Sequence, residues 1–196
     1  MEYHIKTPIS EDKVRELKVG DTLYINGIVV TARDEAHKRA LEYAEEGKAL
    51  PISVEDSAIF HCGPIVQQVG SEWRIVSAGP TTSTRMEMFE SDFLDRFKVR
   101  IVIGKGGMGK KTTEAMKRVG AVYCAFTGGA GALGAGAVQR VRGVEWLDLG
   151  MPEALWILEV KEFGPLTVAI DAHGNNLYEE VNRRVGENLQ RIYARI

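Results

Sequence analysis

Hydrophobic and polar positions alternate most clearly in the first third of the chain. There Asp21-Thr22-Leu23-Tyr24-Ile25-Asn26-Gly27-Ile28-Val29-Val30-Thr31 sets two short β-branched runs around an Asn-Gly pair. That dipeptide between such runs is a strong short-range turn signal, so the stretch predicts a hairpin near residue 26. The period then lengthens. Ala36, Ala40, Leu41 and Ala44 make one narrow apolar stripe that Gly47 ends, which predicts a helix from about 34 to 46, with Thr31 and Asp34 at capping-box spacing. Ser57 to Gly63 and Trp73 to Pro80 read as strands, each running into a Gly-Pro pair that stops it because proline has no N–H for the ladder.

From residue 97 the pattern repeats an order of strand, glycine loop and helix. Phe97 to Gly104 is an apolar run entering glycines, Lys110 to Val119 is helical in composition, and Ala121 to Phe126 is a buried-type strand entering Thr127-Gly128-Gly129. This alternation predicts an α/β fold with parallel pairing and ligand-facing loops at the carboxyl ends of the strands. Strands near Ala154 to Val160 and Leu166 to Ile170, and a polar helix from about Leu177, complete the pattern. There is no internal repeat and no low-complexity linker.

Composition narrows the function classes. The 196 residues are 44% hydrophobic and 27% charged, and 25 basic against 27 acidic side chains give a formal net charge of −2. This balance leaves no footprint for sequence-independent nucleic-acid binding. The longest apolar runs fall far short of the roughly 20 residues of a membrane helix, and Met1-Glu2-Tyr3-His4 opens no signal peptide, so a cytoplasmic protein is expected. Cys62 and Cys124 lie far apart and outside any CxxC pattern, which fits neither a disulfide scaffold nor a metal site built from this chain alone.

Three loops carry candidate chemistry. Gly104-Lys105-Gly106-Gly107-Met108-Gly109-Lys110-Lys111-Thr112 follows a strand and opens a helix, as a phosphate-binding loop does, but Lys111 stands where the Mg²⁺ hydroxyl belongs and Thr112 is about 100° further round the helix. A nucleotide-binding module and a plain packing turn are the two readings of that loop. Ser77-Ala78-Gly79-Pro80-Thr81-Thr82-Ser83-Thr84-Arg85-Met86 offers hydroxyls and an arginine fork suited to a carboxylate, or an N-cap for the helical segment after it. Arg33-Asp34-Glu35-Ala36-His37-Lys38-Arg39 opens the first predicted helix. Arg33, Arg85 and Lys105 thus put one strong cation on each of three loops, which suits a small dianion such as a dicarboxylate.

At these residues the sequence resembles the β subunit of the two-subunit, iron–sulfur-dependent class I fumarases and L-tartrate dehydratases, equivalent to the C-terminal domain of the single-chain forms. The likeness runs through Asn26-Gly27, Val30-Thr31-Ala32-Arg33-Asp34-Glu35-Ala36-His37-Lys38-Arg39, Gly63-Pro64, Ser77 to Met86, Ile103 to Met108, Phe126 to Gly129 and Gly150-Met151-Pro152-Glu153-Ala154-Leu155-Trp156. It implies a swivelling β/β/α-type fold over residues 1–196, with 177–196 a C-terminal helical extension. It also implies reversible hydration of fumarate to (S)-malate, with L(+)-tartrate dehydration as the alternative. Carried over by position, Arg33, Arg85 and Lys105 hold the substrate carboxylates, Lys105 also stabilises the developing aci-carboxylate, and Thr81 is the catalytic base or a proton relay. His37, one helical turn after Arg33, orients it or touches substrate. The implied [4Fe–4S] cluster needs three cysteines and belongs to a separate α subunit, in an α2β2 assembly. His61, Cys62 and Thr127 receive no role.

Overall fold

The computed structural model describes residues 1–194; residues 195 and 196, the end of the expected C-terminal extension, lie outside it. In chain order the elements are β1 (Glu2–Lys6), α1 (Glu11–Arg15), β2 (Thr22–Thr31), α2 (Asp34–Glu45), β3 (Ala58–Phe60), β4 (Ile65–Val69) and β5 (Glu72–Ser77). After a short 3-10 turn at Ser83–Met86 come α3 (Glu87–Phe97), β6 (Ile101–Gly104), α4 (Lys110–Val119), β7 (Val122–Ala125), α5 (Gly131–Ala137), β8 (Val138–Glu145), β9 (Leu155–Ile170) and α6 (Leu177–Tyr193).

The large sheet closes on itself. Its order is β1-β2-β3-β6-β7-β9-β8, and β9 also pairs antiparallel with β2, so β2, β3, β6, β7 and β9 form a ring with β1 and β8 attached. Closure explains the continuous apolar runs. Ala58 and Phe60, Ile101 and Ile103, and Val122 and Cys124 fill the inside with Trp156 and Leu158, while the alternate residues Ile59, Val102 and Tyr123 pack in a second core with α2, α3 and α4. Strands buried on both faces lose the in-out alternation of polarity. Because β2, β3, β6 and β7 run parallel, their carboxyl ends open on one side of the molecule.

Several local expectations are corrected. Asn26-Gly27 does not turn a hairpin; it bends one continuous strand, with irregular register against β9. The bend is captured from both sides: Ile28 N–H donates to Thr7 Oγ1 at 2.7 Å, and the Asn26 side chain exchanges hydrogen bonds with Glu162. The two expected strands at the end of the chain are one 16-residue strand, β9, whose irregular stretch around Glu162 lies opposite that bend. Thr31 caps no helix. Its hydroxyl donates to Ala154 O and accepts from Trp156 N–H, tying β2 to β9, and the α2 N-cap is Arg33. The expected strand from Phe97 begins only at Ile101, because α3 runs to Phe97 and Lys98 ends it in a left-handed conformation. Strands β1, β4 and β8 were not legible in the pattern. Helix α6 is amphipathic but buries none of its described residues, with Val181, Val185, Leu189 and Ile192 exposed.

Candidate active site

Two of the loops singled out by sequence leave the carboxyl ends of the parallel strands β2 and β6, and the third follows β5 of the two-stranded sheet. Arg33 follows β2 directly, and its guanidinium lies 3.2 Å from Glu153 and 3.9 Å from Asp34. Gly63, after β3, leaves room for that guanidinium, since a Cβ there would collide with Arg33 Nη1. Arg85 donates from Nη2 to Asp34 Oδ2 at 2.6 Å. One aspartate oxygen therefore sits between two arginines from different loops, and these two forks converge on a carboxylate.

Thr81 and Lys105 are joined through the backbone. Lys105 N–H donates to Thr81 O at 3.2 Å, Ser83 N–H donates to Lys105 O at 2.8 Å, and Thr81 N–H donates to His61 O at 2.6 Å. The loop after β5 is thus laid as an extra strand segment along the end of β6. The close approach requires glycine at 104, where a Cβ would fall on Ser83 Oγ. Both Thr81 and Lys105 are partly exposed, and among the described residues Lys105 has no carboxylate within ion-pair distance.

His37 does not face the solution with them. It is completely buried, and its Nδ1–H donates to the Arg33 carbonyl at 2.7 Å, a contact that matches the orienting alternative expected for it rather than an exposed one. Beside it lie residues that sequence reasoning gave no role. Glu90 Oε2 is 3.3 Å from His37 Nε2 and 3.0 Å from His61 Nε2, all with zero exposure. These are ion-pair distances without linear hydrogen-bond geometry. Burial alone would raise the Glu90 carboxyl, but the two imidazoles bring it down to about 2. Burial would likewise lower His37, yet Glu90 and the Arg33 carbonyl raise it, while burial prevails at His61 and lowers it. The shared carboxylate thus favours the protonated form of His37, while desolvation favours the neutral form of His61. A glutamate on the apolar stripe Met86, Glu90, Phe93, Leu94 was the signal that could have revealed it.

The phosphate reading of the 104–112 loop meets a filled position. Glu87 accepts from Gly109 N–H at 2.6 Å and from Thr112 Oγ1 at 2.8 Å, so a carboxylate already occupies the N-terminus of α4. A cavity of about 1070 Å³ lies elsewhere, between the β4–β5 hairpin and β8, and includes none of Arg33, Thr81, Arg85 or Lys105. The cysteines do not fit a cluster. Cys62 and Cys124 are buried core residues, and burial pushes the Cys62 thiol up to about 12 and raises Cys124 as well, against the thiolate a metal would need.

A protein-family model described as "Fumarase C-terminus" matches residues 1–181. The chain belongs to that family. Among relatives of this fumarase-type chain, a Methanocaldococcus jannaschii protein provisionally named L(+)-tartrate dehydratase subunit beta is 47% identical over 193 residues, 98% of each chain. The Escherichia coli K12 protein named L(+)-tartrate dehydratase subunit beta is 43% identical over 192 residues, 98% of this chain and 94% of its own. A Geobacillus stearothermophilus protein provisionally named fumarate hydratase class I is 41% identical over 189 residues, 96% of this chain but 36% of that longer one. The fumarase-type chain thus aligns with whole subunits in some relatives and with one part of a longer chain in another. No helix among the described residues is long and apolar enough to cross a membrane.

Proposed function

We propose that this chain is the β subunit of a two-subunit class I fumarate hydratase, a hydro-lyase that adds water reversibly to fumarate to give (S)-malate. The observation that carries the reading is the meeting of Arg33 and Arg85 at one carboxylate oxygen beside the backbone-linked Thr81 and Lys105, in a chain of the fumarase C-terminus family. In this reading residues 1–196 work as one β-subunit domain, with α6 as its C-terminal extension.

Each residue has a defined task. Arg33 and Arg85 take substrate carboxylates in their planar forks, and Lys105, with no carboxylate beside it, stabilises the negative charge that builds on the carboxylate next to the reacting carbon. In the dehydration direction the proton leaves that carbon for Thr81 Oγ1. A threonine hydroxyl accepts such a proton only if its own is already displaced or passed on, a state that cations on the same and the neighbouring loop, Arg85 and Lys105, would favour. The iron–sulfur cluster of the family, a [4Fe–4S] centre, is assigned to the partner α subunit in a cytoplasmic α2β2 assembly, because the two buried cysteines here do not fit it.

The names of the separate-subunit relatives favour a second reading, the β subunit of an L(+)-tartrate dehydratase. Anaerobic assembly with the α subunit, followed by parallel assays on fumarate and L-tartrate, tests both. The expected result is no turnover by the isolated chain and faster turnover of fumarate than of tartrate by the complex. Turnover by the isolated chain without iron would overturn the half-enzyme reading, and a tartrate preference would select the second.

A further inference from the structure

The buried layer under the cations is costly to maintain and connects every loop of the site. Ion pairs in a protein interior gain little over well-packed apolar residues of the same volume, so stability alone gives a weak reason for one. Here the connections are specific. His37 holds the Arg33 carbonyl through Nδ1–H at 2.7 Å. His61 Nδ1 meets Ser83 Oγ at 2.9 Å, Ser83 Oγ accepts from Tyr123 O–H at 3.0 Å, and His61 Nε2 lies 3.0 Å from Glu90 on its other side. The His61 carbonyl receives Thr81 N–H at 2.6 Å, and Ser83 N–H binds Lys105 O at 2.8 Å. Both imidazoles end at one Glu90 oxygen, carried by α3, an element that supplies no residue to the exposed site.

We propose that Glu90 is a positioning residue: through His37 and His61 it fixes the Arg33 backbone and the Thr81–Ser83 segment relative to each other, and so sets where Thr81 stands. The proposal rests on the hydratase reading for its kinetic consequence but not for its structural one. Arg33 has an independent tether in Glu153 at 3.2 Å, so loss of Glu90 affects proton transfer at Thr81 more than carboxylate binding.

The test compares Glu90→Leu, which keeps the volume but cannot hold either imidazole, with Glu90→Gln, which keeps the size and a hydrogen-bonding atom at the one position both imidazoles face. In the assembled αβ enzyme, Glu90→Leu is expected to lower kcat by about tenfold or more with KM within about threefold, because small misplacement of a reacting group costs rate. Glu90→Gln is expected to recover most of that kcat. Ser83→Ala, a smaller change with less risk to folding, is expected to give a weaker loss of the same kind. In the full β chain alone, NMR-detected exchange of the Thr81 amide is expected to quicken by about tenfold in Glu90→Leu and to stay near wild type in Glu90→Gln. Wild-type kcat in Glu90→Leu, or unchanged Thr81 exchange, would overturn the proposal. So would one equivalent of divalent metal in the purified chain that Glu90→Gln releases, since the cluster would then be a ligand set. If the wild-type complex turns over neither fumarate nor tartrate, the functional reading fails and the exchange experiment alone decides the role of Glu90.

Discussion

The exposed cations and the buried charges a few ångströms beneath them are built on opposite terms. Arg33, Arg85 and Lys105 stand on loops that keep some solvent access, from 20% for the Arg33 side chain to 51% for Arg85, which holds Asp34 at 2.6 Å. Glu90, His37 and His61 have no exposure at all and pair only with one another and with backbone or hydroxyl groups of the loops above. Screened charges on flexible stems can adapt to an arriving anion, whereas desolvated charges fix geometry because any displacement leaves one of them unpaired. In the proposed function that difference separates two jobs, attracting a dicarboxylate and holding the residue that works on it.

The sharpest way to break the comparison is at Lys105. In the assembled enzyme Lys105→Ala is expected to lower kcat by roughly 10²-fold, the scale for removing one donor to developing charge, while the melting temperature of the β chain stays near wild type. Steady-state kinetics with thermal melts checks this. Arg85→Ala is expected to act on the other parameter, raising KM by about tenfold through loss of a charge-assisted contact to a carboxylate, with a smaller change in kcat. Measuring both constants on fumarate distinguishes the two cations.

The buried layer is tested by pH. His61 is lowered from an ordinary 6.5, so its contribution to stability is present above 6.5 and is lost as pH falls below it. His37 is raised from 6.5, so its contribution is complete below 6.5 and is lost as pH rises through its folded value. Glu90, brought from 4.5 down to about 2, contributes above 4.5 and loses that contribution toward 2. Together they favour the folded chain most near 6.5, and Asp34 adds its charge to the field at both histidines. Denaturant unfolding of the β chain across this range is expected to show a dome that flattens in Glu90→Leu. A wild-type profile with no slope on either side of 6.5 would contradict the charge assignment. The smallest effect is expected at Lys110, which is exposed and pairs only with Glu114 at 3.9 Å: Lys110→Ala should leave turnover within about twofold.

These two layers also differ in how legible they were. Arg33, Arg85 and Lys105 stood out as one strong cation on each of three loops, Thr81 came only with the family resemblance, and the parallel order of β6 and β7 followed from the strand-loop-helix alternation. Helices α2 and α4 were legible from period and glycine stops, and α4 fell on the expected residues 110–119. Ring closure by β9 was not legible, because pairing with β2, β7 and β8 at once is a long-range fact that no local pattern carries. The Asn26-Gly27 bend misled for the same reason: Thr7 and Glu162, distant in sequence, supply the hydrogen bonds that keep the strand straight enough to continue. Glu90 and His61 were hidden inside apolar runs, where each looks like an isolated exception until the fold brings both to His37.

The central claim is that this chain supplies the proton-transferring hydroxyl and the carboxylate clamp to a site that another subunit completes. A fixed amount of anaerobic α subunit titrated with this chain, with the initial rate of fumarate hydration recorded, addresses it most directly. The account expects the rate to rise to a stoichiometric plateau with the wild-type chain. Thr81→Ala should compete for the same α subunit yet support about one hundredth of that rate or less. Full activity from the α subunit alone, or the same plateau with Thr81→Ala, would contradict it.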